Sequence, residues 1–354
     1  MSTDPSGSPR TDKKLRLIRI GLLPIAPLAF VLVVLHSRRA ITRSFGRIGH
    51  THWSWLLVGV ALEAMSMSTF ALMQGRLLRV GGKRVGAKPM IATILAANSL
   101  SVSVPLAGPE LGAALTYRRF REQGADRSLA SWTLVVGGAV SWLGAMVILV
   151  AGGVLSGNLV IAGVTILLGL LAGLGCLALW FGLRHGRVRT LLTRVASWVV
   201  RAASRILRRR PAHDPVAEVT GWFASLHSLR PSKAEWNVIG TLGLGNWFTD
   251  VGVLAMSILA LGAAVPWRSL LLVYALAIIV GSLGLTPGGV GLVEGTLCVG
   301  LVSAGLPATL ALGAVLLYRL VSFWLVMFVG WLVFFWLRFE RVPRQLSIAR
   351  SVVS

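Results

Sequence analysis

Four carboxylates sit where carboxylates are costly. Glu63, Glu110, Asp250 and Glu294 each lie in a stretch that is otherwise apolar, and Arg319 lies well inside another, LLYRLVSFW. At the centre of a bilayer an ionised side chain costs about 2.5–3.5 kcal/mol or more unless it is paired or hydrated. Pairing with arginine is the economical solution, so Glu294 is expected to meet Arg319, and Glu110 to meet Arg118 or Arg119. The competing account is that these are ion pairs or interface residues that only hold helices together, and for Glu63 it is the favoured one. The chemistry on offer is the binding of a charged group, or the carrying of a proton, at membrane depth.

Two of the four stand in segments broken by proline and glycine. Met90–Leu115 reads MIATILAANSLSVSVPLAGPELGAAL, with Asn98, Pro105, Gly108, Pro109 and Glu110 interrupting it. The run from Trp267 to Gly305 contains LTPGGVGLVEG, with Pro287, Gly288, Gly289, Gly291, Glu294 and Gly295. Proline removes a backbone donor and clashes with the preceding turn, so neither segment suits one straight helix; two half-helices with an irregular middle suit both. Their order also matches: Pro105, Gly108, Glu110 and later Tyr117-Arg118 in the first, Pro287, Gly291, Glu294 and later Tyr318-Arg319 in the second. Broken segments in corresponding positions of two halves are the sequence pointer to a midplane site in a transporter. Irregular backbone at that depth must be buried in protein or line a wet cavity. Helix N-termini and arginines there favour an anion. Glycine and proline serving tight packing alone is the plainer alternative.

Other chemistries find little support. His36, His50, His52, His185, His213 and His227 fall in loops or at segment ends without a metal-ligand spacing, and no metal or cofactor is expected. GGVG lacks the strand before it and the Lys-Ser/Thr after it that a phosphate loop needs. No serine has nearby His–Asp support, so no catalytic residue is assigned and enzymatic activity is not expected of this chain. Cys176 and Cys298 lie far apart in apolar segments, as buried thiols rather than a disulfide or metal set.

Elements able to hold such residues follow from composition. Of 354 residues 55% are hydrophobic and only 13% charged, against about 25% charged in soluble domains. Leu17–Leu35, Trp53–Leu72, Leu129–Leu149, Leu159–Leu183, Trp236–Leu261 and Ala308–Leu337 have the length and polarity of spanning helices. Lys13, Lys14, Arg16 and Arg19 precede the first, but no small-residue cleavage motif follows it, so it is expected to be retained. The fold class is therefore an all-α polytopic membrane protein of about eight hydrophobic segments. About six of them span, and two Pro/Gly-broken re-entrant hairpins form a pseudo-symmetric pair dipping in from opposite faces.

The net charge of +23 is clustered between the apolar segments. Arg76, Arg79, Lys83, Arg84 and Lys88 form one group, Arg118, Arg119, Arg121 and Arg127 another, and further groups occupy 184–235 and the C-terminus. Such clusters mark cytoplasmic loops and contacts with anionic lipids, not a nucleic-acid partner. Residues 1–16 are expected to be a disordered basic tail, 17–340 the transmembrane domain, and 341–354 a cytoplasmic tail. Within 184–235, Val188, Leu191, Leu192, Val195, Trp198, Val199 and Ile206 recur at helical spacing among arginines. That pattern suits a cytoplasmic amphipathic insert lying on the membrane or binding a partner. This parity places Arg38, Arg39, Arg43 and Arg47 outside, against the positive-inside trend.

The run SLGLTPGGVGLVEGTL followed by LPATLALGAVLLYRLVSFW resembles the C-terminal signature of the lysylphosphatidylglycerol synthase transmembrane, or flippase-like, family. The matching positions are Pro287, Gly288, Gly289, Gly291, Glu294, Gly295, Tyr318 and Arg319. Asp250, in NWFTDVGVLA, fits the acidic residue that the family often carries in the preceding helix. AANSLSVSVPLAGPELGAALTYRRFREQGAD looks like the family's first interrupted segment, although Ala107-Gly108-Pro109-Glu110 replaces an arginine before a Gly-Glu pair. The resemblance covers most of 17–340. It implies a domain of a bacterial inner membrane, both termini cytoplasmic, that moves an anionic lipid or lipid-linked precursor between leaflets. Asn98, Pro105 and Glu110 are expected to shape one side of a headgroup site, and Pro287–Gly291, Glu294 and Arg319 the other. Arg319 would contact phosphate or orient Glu294, Asp250 would tune that pair, and Glu294 is the candidate proton carrier. The chain ends at Ser354, shortly after its last apolar segment and without a synthase domain, so aminoacyl transfer is not expected of it. Two rival readings are a membrane subunit serving a separate soluble transferase, and a scaffold working through the basic insert.

Overall fold

The computed structural model describes residues 52–104, 107–184, 231–283 and 286–339, all of them helical or in short connections. The first apolar segment, Pro105, most of the basic insert and both tails lie outside the described residues.

Helix α1, Trp53–Val80, has 28 residues and so a length of about 42 Å at 1.5 Å per residue. It runs two turns beyond the end expected from hydropathy and carries Arg76 and Arg79 on its last turns, because nothing before Gly81 breaks it. α2, Ala87–Ser103, and α3, Gly108–Glu122, follow. α4, Arg127–Leu155, starts on Asp126, whose carboxylate accepts from the Leu129 N–H at 3.1 Å. The turn expected at 151–158 shrinks to three residues before α5, Leu159–Arg184. Gly152 and Gly153 remain helical and lie against the Leu271–Leu272 backbone and Thr165, respectively.

α6, Lys233–Ala260, opens on a reciprocal cap in which Ser232 and Glu235 each receive the other's backbone N–H. α7, Trp267–Gly281, leads into a single 3-10 turn, Pro287–Gly289, and α8, Leu292–Ser303. The chain then continues through α9, Ala308–Arg319, a π-helical stretch Leu320–Leu325, and α10, Val326–Phe339.

Five of these elements are long and apolar enough to cross a membrane: α1, α4, α5 up to Ala178, α6, and the run from Ala308 to Phe339. Leu159–Ala178 is the least buried of them, with Leu159, Val160, Leu167 and Leu174 outward; in a bilayer that surface meets lipid, not water. This is an integral, multi-pass, all-helical protein among its described residues.

Pairwise contacts orient the helices. α1 and α6 are antiparallel: His52 N–H donates to Ala260 C=O at 3.1 Å at one end, and Ser66 Oγ donates to Asn246 Oδ1 at 3.1 Å near the middle. α4 is parallel to α6, since Gly144 meets Trp247 and Val140 meets Gly243, with Trp247 Nε1 donating to Ser141 C=O at 2.8 Å. One end of the bundle therefore collects residues 80–88, 122–127, 233 and 339, and the other collects 52, 155–159, 260–267 and 303–308.

The two broken segments both fold as antiparallel helical hairpins. In the first, Gly108 and Gly112 of α3 face Ser101 and Ala97 of α2 so closely that a Cβ at Gly108 would meet the Ser101 carbonyl. In the second, Gly281 faces Val293 and Gly300 faces Val273. α2 has 17 residues and α7 has 15, or about 25 and 22 Å, which is short of a hydrocarbon core about 30 Å thick. The first hairpin opens toward the basic end of the bundle and the second toward the opposite end. The Pro287–Gly289 turn packs beside α2.

Candidate functional site

Where the second hairpin turns, three glycines have left-handed backbone: Gly288 at φ 56°, Gly289 at 69° and Gly291 at 88°. Side chains other than glycine rarely accept this geometry. At Gly288 there is also no room, because a Cβ would enter the Phe323 ring. The turn delivers Gly291 to the start of α8, where its N–H donates to Glu294 Oε2 at 2.6 Å, half of a capping box closed by a residue in the first helical turn.

Glu294 Oε1 accepts from Arg319 Nε at 2.6 Å, as the sequence led us to expect. Arg319 Nη2 donates to the Gly288 carbonyl at 2.9 Å, and the guanidinium lies 4.1 Å from the centre of the Phe323 ring. One arginine thus ties together the turn, the helix after it and the π-helical stretch that begins one residue later. π-Helical insertions occur mostly at functional positions, and this one changes the facing of side chains immediately after Arg319. The arginine side chain is only 9% exposed and that of Glu294 22%, so the charges compensate each other with little help from solvent.

Next to this pair lies a second polar cluster. Asp250 of α6 accepts from Tyr274 Oη of α7 at 2.6 Å and from Tyr318 Oη of α9 at 3.2 Å. The tyrosine rings meet edge to face at 6.5 Å, with Trp247 edge-on to Tyr274 at 6.3 Å. Arg319 follows Tyr318 directly on α9, so the two polar groups adjoin. Glu63 of α1 is 3% exposed, and the antiparallel register set by Ser66–Asn246 and Gly59–Val253 places it opposite Asp250 on α6. Tyr274 was absent from the sequence reading. The chain has three tyrosines, and a phenol in an apolar segment needs a hydrogen-bond partner, so its position was a usable signal.

The first hairpin does not repeat this arrangement. Glu110 is exposed on the first turn of α3, and the expected pairing with Arg118 or Arg119 does not form. Those arginines, two turns further along, reach Glu122 at 3.0 and 3.5 Å, because residues three and four apart share a helix face while Glu110 is eight or nine away. Tyr117-Arg118 therefore has no structural likeness to Tyr318-Arg319: the Arg118 side chain is 71% exposed and that of Arg319 only 9%. Asn98 is half-buried on α2. Ser103 at the end of α2 accepts from Trp331 Nε1 of α10 at 3.0 Å. Thr286, just before the 3-10 turn, has a buried hydroxyl without a hydrogen-bond partner.

Of the sequence-chosen residues, the structure brings Gly288, Gly291, Glu294 and Arg319 into one bonded network whose turn is formed by Pro287 and Gly289, and places Asp250 in the adjoining tyrosine cluster. Pro105 lies outside the described residues. Cys176 and Cys298 are free and only half-buried, since each lies on a helix face not fully covered by protein. Among the described residues no group of three or more His, Cys, Asp or Glu side chains is arranged to hold a metal ion.

No curated protein matches the chain. The family model described as "Lysylphosphatidylglycerol synthase TM region" matches residues 17–330, a span that contains both hairpins, Asp250, Glu294 and Arg319. The chain belongs to that lysylphosphatidylglycerol synthase TM region family.

Proposed function

We propose that this chain is a flippase-like transporter that moves an anionic lipid, or a lipid-linked precursor, between the leaflets of a bacterial inner membrane. The observation that carries this reading is the meeting of two hairpins that open toward opposite ends of the bundle, with the glycine turn of one beside α2 of the other. In a bilayer both are re-entrant, and the basic end, with Lys83, Arg84, Lys88, Arg121 and Arg127, faces the cytoplasm by the positive-inside rule. The end of α10 is then cytoplasmic, and the N-terminus joins it there where Leu17–Leu35 spans as its hydropathy implies.

Helices α3 and α8 each start at the turn of their hairpin, so two positive helix ends point toward the interior from opposite sides. α3 has no side-chain cap on its first N–H groups, which leaves them to a ligand anion. Asn98, Pro105 and Glu110 shape the first side of the headgroup site, and Pro287–Gly291 the second. Arg319 acts mainly by holding that turn through Glu294 and the Gly288 carbonyl. Thr286 adds a hydroxyl donor. The site holds the charged headgroup while the acyl chains stay in lipid beside the bundle.

The test is leaflet exchange of fluorescent anionic and zwitterionic lipids in vesicles carrying the purified chain, alongside Glu294→Gln and Arg319→Ala. The reading expects exchange of anionic lipid by the wild type and at least a tenfold loss in folded variants, the effect of losing about 1.4 kcal/mol at the rate-determining step. Absence of exchange for every headgroup, with and without a proton gradient, would overturn it in favour of the scaffold or subunit readings.

A further inference from the structure

Charge in the core of the molecule does not balance. Among the described residues Glu63 faces Asp250 from the neighbouring helix, while the one guanidinium nearby, Arg319, is bonded to Glu294. Both Glu294 oxygens already accept, one from Arg319 and one from the Gly291 N–H, which is how a fixed carboxylate is held. Asp250 is served by two tyrosine hydroxyls. Glu63 lies on α1 facing Asp250, 3% exposed, and its Oε2 is buried without a hydrogen-bond partner.

The groups around Glu63 come from every helix that contributes to the cluster: Asp250 from α6, Tyr274 from α7, and Tyr318 with Arg319 from α9. Among the described residues of this cluster only Arg319 is basic, and Glu294 already holds it. Glu63 is 3% exposed and Asp250 half-buried, and two facing carboxylates repel each other when both are ionised, so one proton between them relieves the repulsion. A metal ion fits poorly: the surrounding backbone is helical and internally bonded, and both tyrosine hydroxyls point their protons at Asp250. A proton needs no coordination shell.

We propose that Glu63 and Asp250 form an exchangeable proton site, and that its occupancy biases the Tyr318–Arg319–Glu294 network and hence the glycine turn of the second hairpin. The site rests on the transport reading for its role but not for its existence. Release of the proton would create a second anion beside Asp250, compete for the two tyrosine hydroxyls and draw on the positive charge of Arg319. That charge is what fixes the Gly288 carbonyl. Proton movement and turn geometry are thereby linked through the charge of Arg319, which follows Tyr318 on α9 and bonds Glu294 and the Gly288 carbonyl.

The test uses the full-length chain in vesicles, with infrared difference spectra across a pH titration and lipid exchange with and without a pH gradient. Wild type should show a carboxylic-acid C=O band that disappears as pH rises. Glu63→Gln, which mimics the protonated acid, should lose the band and the stimulation of exchange by the pH gradient while keeping exchange itself. Asp250→Asn should keep a carboxylic-acid band but titrate at a different pH, which covers the case in which Glu63→Gln does not fold. The absence of any titrating carboxyl band in wild type, a band unchanged in both variants, or a response to a sodium gradient alone would overturn the site. A titrating band in a chain that exchanges no lipid would leave the proton site standing and overturn the transport reading. Exchange without the band would do the reverse.

Discussion

The two proline-broken hairpins share a shape but differ in how they are held. The second is fastened by charge: Arg319 reaches Glu294 and the Gly288 carbonyl from a neighbouring helix, and three glycines with positive φ make the path possible. The first is fastened by close backbone approach. Gly108 and Gly112 lie on Ser101 and Ala97, and Gly330 of α10 lies on the Leu95 carbonyl, while Glu110 remains exposed. A buried ion pair gives a turn that can be reset by a change of charge. A glycine seam gives a turn that resists change. On the proposed transport reading, switching belongs to the second hairpin and a fixed wall to the first.

Breaking the fastening of each hairpin should separate the two modes. Arg319→Ala leaves Glu294 uncompensated and should destabilise the protein most, by about 3–5 kcal/mol in denaturant titrations of the detergent-solubilised chain. Tyr274→Phe removes one donor from Asp250 and should cost about 1.5–3 kcal/mol in the same titration. Gly108→Ala forces α2 and α3 apart and should cost about 1–3 kcal/mol, with the charge network intact as judged by an unaltered response of exchange to a pH gradient. Arg118→Ala, the first-hairpin counterpart of Arg319 by sequence order, should change stability by about 1 kcal/mol or less, because its pair with Glu122 is exposed to solvent. Equal costs for Arg118→Ala and Arg319→Ala would erase the distinction between the hairpins.

Much of this was legible in the residues. A carboxylate and an arginine in apolar segments have few ways to be buried, so Glu294 and Arg319 announced each other. Proline and glycine marked both turns. The parallel between Tyr117-Arg118 and Tyr318-Arg319 misled, because order along the chain does not state depth: the first pair ends a short hairpin arm at the basic end, and the second lies in mid-bundle. Glu63 read as structural because its partners come from helices nearly 200 and more residues away. Helix ends beyond the hydropathy limit, such as α1 up to Val80, were missed because spanning helices continue past the hydrocarbon until a breaker stops them, here Gly81-Gly82.

The proposed headgroup site depends on the hairpins entering the membrane from opposite faces. Side-specific thiol labelling in sealed vesicles tests this directly, with single cysteines at Lys83, Arg127, Ala264 and Ser303 in a Cys176→Ala, Cys298→Ala background. Lys83→Cys and Arg127→Cys flank the first hairpin and should label from one face, the cytoplasmic one; Ala264→Cys and Ser303→Cys flank the second and should label from the other. Labelling of either pair from two different faces would mean that its segment crosses the membrane, and would contradict the shared site built from opposed hairpins.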